Sequence, residues 1–193
     1  MRAGSCLLAV LVLLTGCGVP MQDQASPIEP EAVPSRLGTP GNSPSATTTA
    51  PPAQLLVPIY FVREDRLVSL TREAPSPALT DQLNTVVLNL LAGPTDNEQA
   101  AGLSSAIPAG LQLSVVEVQG KRAVLELTGE TDGRSATDNV LAVGQIVLSF
   151  TTLRAIDEIV FWRDGVPVET LLADGALTTK PLTAKDYAPL QTG

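Results

Sequence analysis

Histidine is absent from this 193-residue chain. That one omission removes the commonest general base at neutral pH and the commonest zinc ligand. Cysteine occurs only at Cys6 and Cys17, so everything after Cys17 lacks both a disulfide and a thiol nucleophile. Aromatic residues make up 3% of the chain, with a single tryptophan, which leaves little material for an aromatic sugar-binding platform. Basic runs are missing too: 12 Lys and Arg are scattered among 20 Asp and Glu, for a net charge of −8. Such a chain is unsuited to a phosphate backbone, so no nucleic acid partner is expected. Adhesion to anionic lipid head groups through surface charge is unexpected for the same reason.

What is present starts at the N-terminus. Met1-Arg2, the apolar run Cys6–Leu14 and Thr15-Gly16-Cys17 follow the charged, apolar and small-residue order of a secretory signal. The apolar run falls short of the roughly 20 residues a membrane-spanning helix needs. Leu14-Thr15-Gly16-Cys17 resembles the bacterial lipobox, whose cysteine receives a diacylglyceryl group and becomes the new N-terminus after cleavage. The resemblance implies that residues 1–16 are removed. It also implies that the lipid on Cys17 holds the protein to the extracytoplasmic face of the cell membrane. Between Gly18 and Ala53 the composition shifts to Pro, Ser, Thr, Ala and Gly, with eight of the sixteen prolines. Residues 17–53 therefore read as a lipidated cysteine and a disordered tether. Its reach lies between ~35 Å as a coil and ~110 Å if fully polyproline-like.

Residues 54–193 carry the pattern of one globular domain. Leu56–Val62, polar Arg63-Glu64-Asp65-Arg66 and Leu67–Leu70 read as a hairpin, with Pro58 favouring a sheet edge. Ser76-Pro77 reads as an N-cap followed by proline at the first helical position. Leu79, Leu83, Val86, Val87, Leu90 and Leu91 then recur at helical spacing until Gly93-Pro94. A second hairpin turns at Gly120 between Leu111–Val115 and Ala123–Leu127, and a second, more apolar helix runs through Val140–Leu153. Glu158–Arg163 and Val166–Val168 flank Asp164-Gly165, a strong two-residue turn signal. The order predicts an α+β fold: an antiparallel or mixed sheet of hairpins with two helices packed on one face.

Several of these segments together resemble the GerMN domain family. They are Leu90-Leu91-Ala92-Gly93-Pro94-Thr95 with Glu98, Gly102–Gly110, Ala142–Val147, and Val160-Phe161 with Asp164-Gly165. The resemblance runs roughly from Val57 to Tyr187. It implies an extracytoplasmic module without known catalysis, of the kind found in sporulation and germination proteins and in actinobacterial envelope lipoproteins.

Candidate chemistry is sparse. Neighbouring carboxylates at Glu64-Asp65 and Asp157-Glu158 point to opposite faces if they lie on strands, which does not suit glycoside chemistry. Ser104 and Ser105 lack a histidine partner and suit loop hydrogen bonding. Gln145 is the polar residue that stands out on an apolar helix; it either satisfies loop backbone groups, such as those of Gly93-Pro94-Thr95, while Gly144 permits close packing, or lines a groove. Trp162 and Tyr60 complete the candidate partner or ligand groove. No catalytic residue, metal site or cofactor is expected. The expected function is a non-enzymatic interaction or scaffold module of the cell envelope, binding an envelope protein or peptidoglycan. The alternative is a lipoprotein that holds a peptidoglycan fragment or a lipid. Cys17→Ala should move the protein from the membrane to the soluble fraction on ultracentrifugation; unchanged fractionation would remove the lipid anchor from this account.

Overall fold

The computed structural model describes residues 55–129 and 133–192; Cys17 and the tether lie outside them. The core runs from Val57 to Tyr187, so the domain carries its own interior. No helix among the described residues is long and apolar enough to cross a membrane.

The first hairpin joins β1 (Leu55–Arg63) to β2 (Arg66–Ala74) as an antiparallel pair. Glu64 and Asp65 turn it with positive φ of 49° and 57°, the twist that two-residue hairpin loops need. Alternation buries Val57, Ile59 and Phe61. Helix α1 (Leu79–Ala92) follows, burying Leu83, Val86 and Leu90. It starts two residues later than a Ser76-Pro77 cap would place it. Ser76 Oγ accepts the Ala78 N–H, Ala78 stays extended, and the Ala78 carbonyl accepts the first helical amides. Proline therefore sits before the helix rather than inside its first turn. Gly93, at φ 74°, ends the helix.

A short helix, α2 (Asp96–Ala100), was not evident from periodicity because it has no buried residue. Its capping box, Thr95 with Glu98, is the local signal that marks it. The second hairpin, β3 (Gln112–Gln119) and β4 (Arg122–Thr128), turns at Gly120 with φ 61°. A bulge between Val115 and Glu117 leaves Val116 unpaired and exposed. Helix α3 (Ala136–Thr151), capped by Ser135 accepting the Asp138 N–H, buries ten of its sixteen residues, as its apolar circumference predicts. The chain leaves α3 into β5 (Glu158–Arg163), which pairs parallel with β4. The sheet is thus mixed, because α3 serves as the crossover between two parallel neighbours. Asp164-Gly165 then turns into β6 (Val166–Pro167), giving the order β3-β4-β5-β6.

The hairpins do not merge into one sheet: β1 and β2 stay a separate pair. Helix α3 touches both sheets, and α1 packs on β1, β2 and β3. Where a neighbouring strand would have paired, the free edge of β1 is closed by other means. Pro58 has no amide, and its carbonyl accepts from Thr152 Oγ1 at 3.2 Å. The Tyr60 N–H donates to Ser149 Oγ at 2.9 Å. Val62 exchanges two backbone bonds of 2.8 Å with Ser104. Hydroxyls of α3 and a loop thus stand in for a partner strand and leave no template for another chain along this stretch. After β6 come a small hairpin, β7 (Thr170–Leu171) and β8 (Leu177–Thr178), and a 3₁₀ helix at Ala184–Leu190. Sequence periodicity does not reveal these, since each is too short to repeat. Yet Leu182 and Tyr187 from this tail are almost fully buried, and the Tyr187 hydroxyl donates to the Leu171 carbonyl at 2.6 Å.

The tail packs on α3 at Gly144. A Cβ there would lie 3.0 Å from Leu67 and Tyr187 atoms and 3.2 Å from Leu190, so the helix, the first hairpin and the tail meet at a notch without a side chain. Gly144→Val should lower the unfolding free energy in urea by about 1–3 kcal/mol through overpacking. Leu88→Ala on the exposed face of α1, where Leu88 is 66% exposed, should stay within about 0.5 kcal/mol.

Candidate functional site

Gln145 lies fully buried in the middle of α3. A buried amide must be paired, and both ends of this one are: Oε1 accepts the Ala106 N–H at 2.8 Å, and Nε2 donates to Ser105 Oγ at 3.2 Å. Ser105 Oγ also accepts the Ile107 N–H. Next in the chain, Ser104 makes the two bonds to Val62, while the Ala106 carbonyl accepts from Arg134 Nη2 at 2.6 Å. The segment Ser104–Ile107 is therefore fastened to β1, to α3 and to the approach to α3. Its tie to Gln145 is of the loop-satisfying kind, but through Ser105 and Ala106 rather than through Gly93-Pro94-Thr95. The Ser105 hydroxyl is occupied in holding the loop, whereas Ser104 holds it through its backbone.

Around this loop the motif segments converge. Gly93-Pro94, Leu103 to Ser105 and Ile107 to Ala109 line a surface groove of about 420 Å³. Beside it, Glu98 braces the start of α2. The Glu98 carboxylate accepts the Thr95 N–H at 2.8 Å and pairs with Arg72 Nη2 at 2.7 Å. Arg72 in turn donates Nε to Asn89 Oδ1 and lies 5.4 Å over the Phe61 ring. Partial burial alone would push the Glu98 carboxyl up, but the bonds from Arg72 and Thr95 outweigh it and hold the group below its ordinary value. The Gly-Pro-Thr block and Glu98 are thus structural: they set the angle between α1 and the loop that Gln145 anchors.

Gln145, Trp162 and Tyr60 do not line one groove. Gln145 is enclosed. Tyr60 belongs to the separate β1–β2 pair, half-buried, with its hydroxyl donating to Gln191 Oε1 at 3.3 Å and its ionisation disfavoured by burial. Phe61 is in the core. Trp162 alternates along β5 with the buried Phe161, and so points with Val160 to the face turned away from α3. Their separation follows from the split sheet, which hydrophobic alternation within single strands cannot show. The adjacent carboxylates are also apart in role. Asp157 pairs with Lys121 at 3.0 Å, Glu158 with Arg122 at 2.7 Å, and Glu64 and Asp65 form the exposed first turn. Among the described residues no three His, Cys, Asp or Glu side chains are grouped to hold a metal.

Fold and site together define a small α+β module whose distinctive residues lock loops around a buried amide. The family described as "Germane: Sporulation and spore germination" matches residues 58–169, more than half of the chain, and the protein belongs to this family. Among solved structures the fold is similar to the tandem GerMN domains of the sporulation protein GerM from Bacillus subtilis. That match has a TM-score of 0.55 at 18% identity and covers 68% of this chain and 47% of that one. The first GerMN domain of the same protein matches with a TM-score of 0.51 at 16% identity, covering 68% of this chain and 98% of that one. The chain therefore spans about half the length of the tandem pair and nearly all of the single domain. No curated protein matches it. The tail beyond residue 169 lies outside the family match yet completes the core through Leu182 and Tyr187.

Gln145→Leu keeps the volume and removes the amide, leaving the Ala106 N–H without its acceptor and Ser105 Oγ without one of its two donors. Stability measured by urea titration should fall by about 2–4 kcal/mol, and the Ala106 amide should lose protection from hydrogen exchange ahead of the strands. Wild-type protection at Ala106 would show that Gln145 does not hold the loop.

Proposed function

We propose that the protein is a lipid-anchored lipoprotein on the extracytoplasmic face of the cell membrane, and that its domain is a non-enzymatic contact module for another envelope component. The lipobox ending at Cys17 and the proline-rich residues 18–53 support the anchor and the spacing. Membership of the sporulation and germination family supports an envelope setting.

The observation that carries the contact role is the sheet face turned away from α3. Trp162 and Val160 of β5 lie on it half-buried, beside the Arg122–Glu158 pair, with Glu126 opposite Trp162 on β4. The bulge in edge strand β3 exposes Val116 at 51%. A tryptophan set in an apolar strip and rimmed by charges is the composition of a binding hot spot. Isolated exposed aliphatic residues elsewhere need no such reading.

The test is crosslinking in the native envelope with the full chain, followed by separate recovery of detergent-solubilised proteins and insoluble peptidoglycan. Trp162→Ser should reduce the recovered protein partner at least tenfold, the scale of a single hot-spot residue, while leaving membrane fractionation and the melting curve of the domain near wild type. A partner recovered equally by both proteins would remove this face from the contact. Recovery with peptidoglycan alone would replace the protein partner by the wall.

A further inference from the structure

On the other side of β5 from Trp162, between α3 and the four-stranded sheet, lies an open pocket of about 280 Å³. Its walls are apolar, with Ala142, Val143 and Ile146 from α3 facing Leu127, Phe161 and Leu171. Two guanidinium groups, Arg134 and Arg163, stand among them. Both are half-buried. Each is positioned by neutral oxygens: Arg134 by the Ala106 and Asp138 carbonyls and by Asn139 Oδ1 at 3.2 Å, Arg163 by the Gly129 carbonyl at 2.7 Å. Among the described residues the ion pairs are Arg72–Glu98, Lys121–Asp157 and Arg122–Glu158, and neither pocket arginine belongs to one. Glu169, also at the pocket, is exposed and pairs with neither. Among the described residues both arginines are held by neutral oxygens alone, which leaves N–H donors of each guanidinium for an anion in the pocket. Carbonyls fix the direction of a guanidinium without cancelling its charge.

We propose that this pocket binds a short apolar chain ending in an anionic head, with the chain against Ile146 and Phe161 and the head on Arg134 and Arg163. At the roughly 30 Å³ that one water occupies in the liquid, the space holds on the order of nine waters, which suits an alkyl chain of comparable carbon number. The head is recognised as an anion, so a fatty carboxylate and an alkyl phosphate are the two sources of one chemistry. The site is independent of the contact face, because Trp162 and Phe161 project to opposite sides of the same strand.

Calorimetric titration of residues 54–193 tests it, with octanoate and octyl phosphate as probes, octanol as the uncharged chain, and acetate and inorganic phosphate as heads without a chain. At least one of the two charged chains should bind saturably at one site, the tighter of them identifying the head. Octanol and the bare anions should bind at least tenfold more weakly, the scale of a charge-assisted hydrogen bond. Arg163→Gln and Arg134→Gln should each weaken binding at least fivefold. Arg163→Gln is the cleaner variant, since Arg134 also holds the Ala106 loop, and circular dichroism melting confirms that each is folded. Absence of saturable binding, octanol binding as tightly as octanoate, or folded arginine variants that bind like wild type would each overturn the proposal.

Discussion

One buried side-chain amide sets the geometry on which the rest of this domain depends. Gln145 sits where an aliphatic residue would have completed the apolar circumference of α3, and its burial is tolerated because both ends are bonded. No buried side-chain polar atom among the described residues lacks a partner. The cost of an unpaired amide inside a protein makes that arrangement specific: the Ser105–Ala106 loop has one place to go. Once it is there, Ser104 reaches Val62, the edge of β1 is closed, and the groove between the two motif loops acquires its shape. The network fixes position more than it adds stability, since a hydrogen bond exchanged for water contributes only about 1 kcal/mol net.

Much of this was legible in the sequence. Alternation located the strands of both main hairpins, helical spacing located α1 and α3, and the greater burial of α3 followed from its lack of a polar face. Asp164-Gly165 behaved as its turn chemistry demands, with φ of 52° and 73°. Gln145 announced itself as the one amide on an apolar stripe. Its partner loop did not, because nothing local links residues 105 and 145. The separation of β1–β2 from the larger sheet was equally hidden: each strand's pattern is the same whichever neighbour it has. The C-terminal elements escaped because they hold their place through single anchors, Leu182 and Tyr187, and not through repetition. Arg134 and Arg163 escaped because isolated arginines in sequence carry no hint that the fold brings them to one pocket.

The family motif has a physical meaning on this reading. Gly93 supplies a positive φ at the end of α1, Pro94 is buried, Thr95 and Glu98 cap α2, and the Ile107-Pro108 turn leads to β3. None of these residues is poised for bond making or breaking. They build a rigid corner. A rigid corner of this kind leaves the surfaces around it free to carry function, since function resides in sites set upon a fold. Here one side of β5 carries the half-buried Trp162 and the other lines an apolar pocket with two arginines, so one strand separates two unlike surfaces.

The notch at Gly144 is filled from the far end of the chain, by Tyr187 and Leu190. An interior completed by residues so distant along the chain cannot close through local contacts alone. Until Tyr187 and Leu190 have docked, α3 keeps one wet flank, and the core closes only through contacts between segments far apart in the chain. That long-range closure makes the tail a part of the domain's cooperative unit and not an appendage to it.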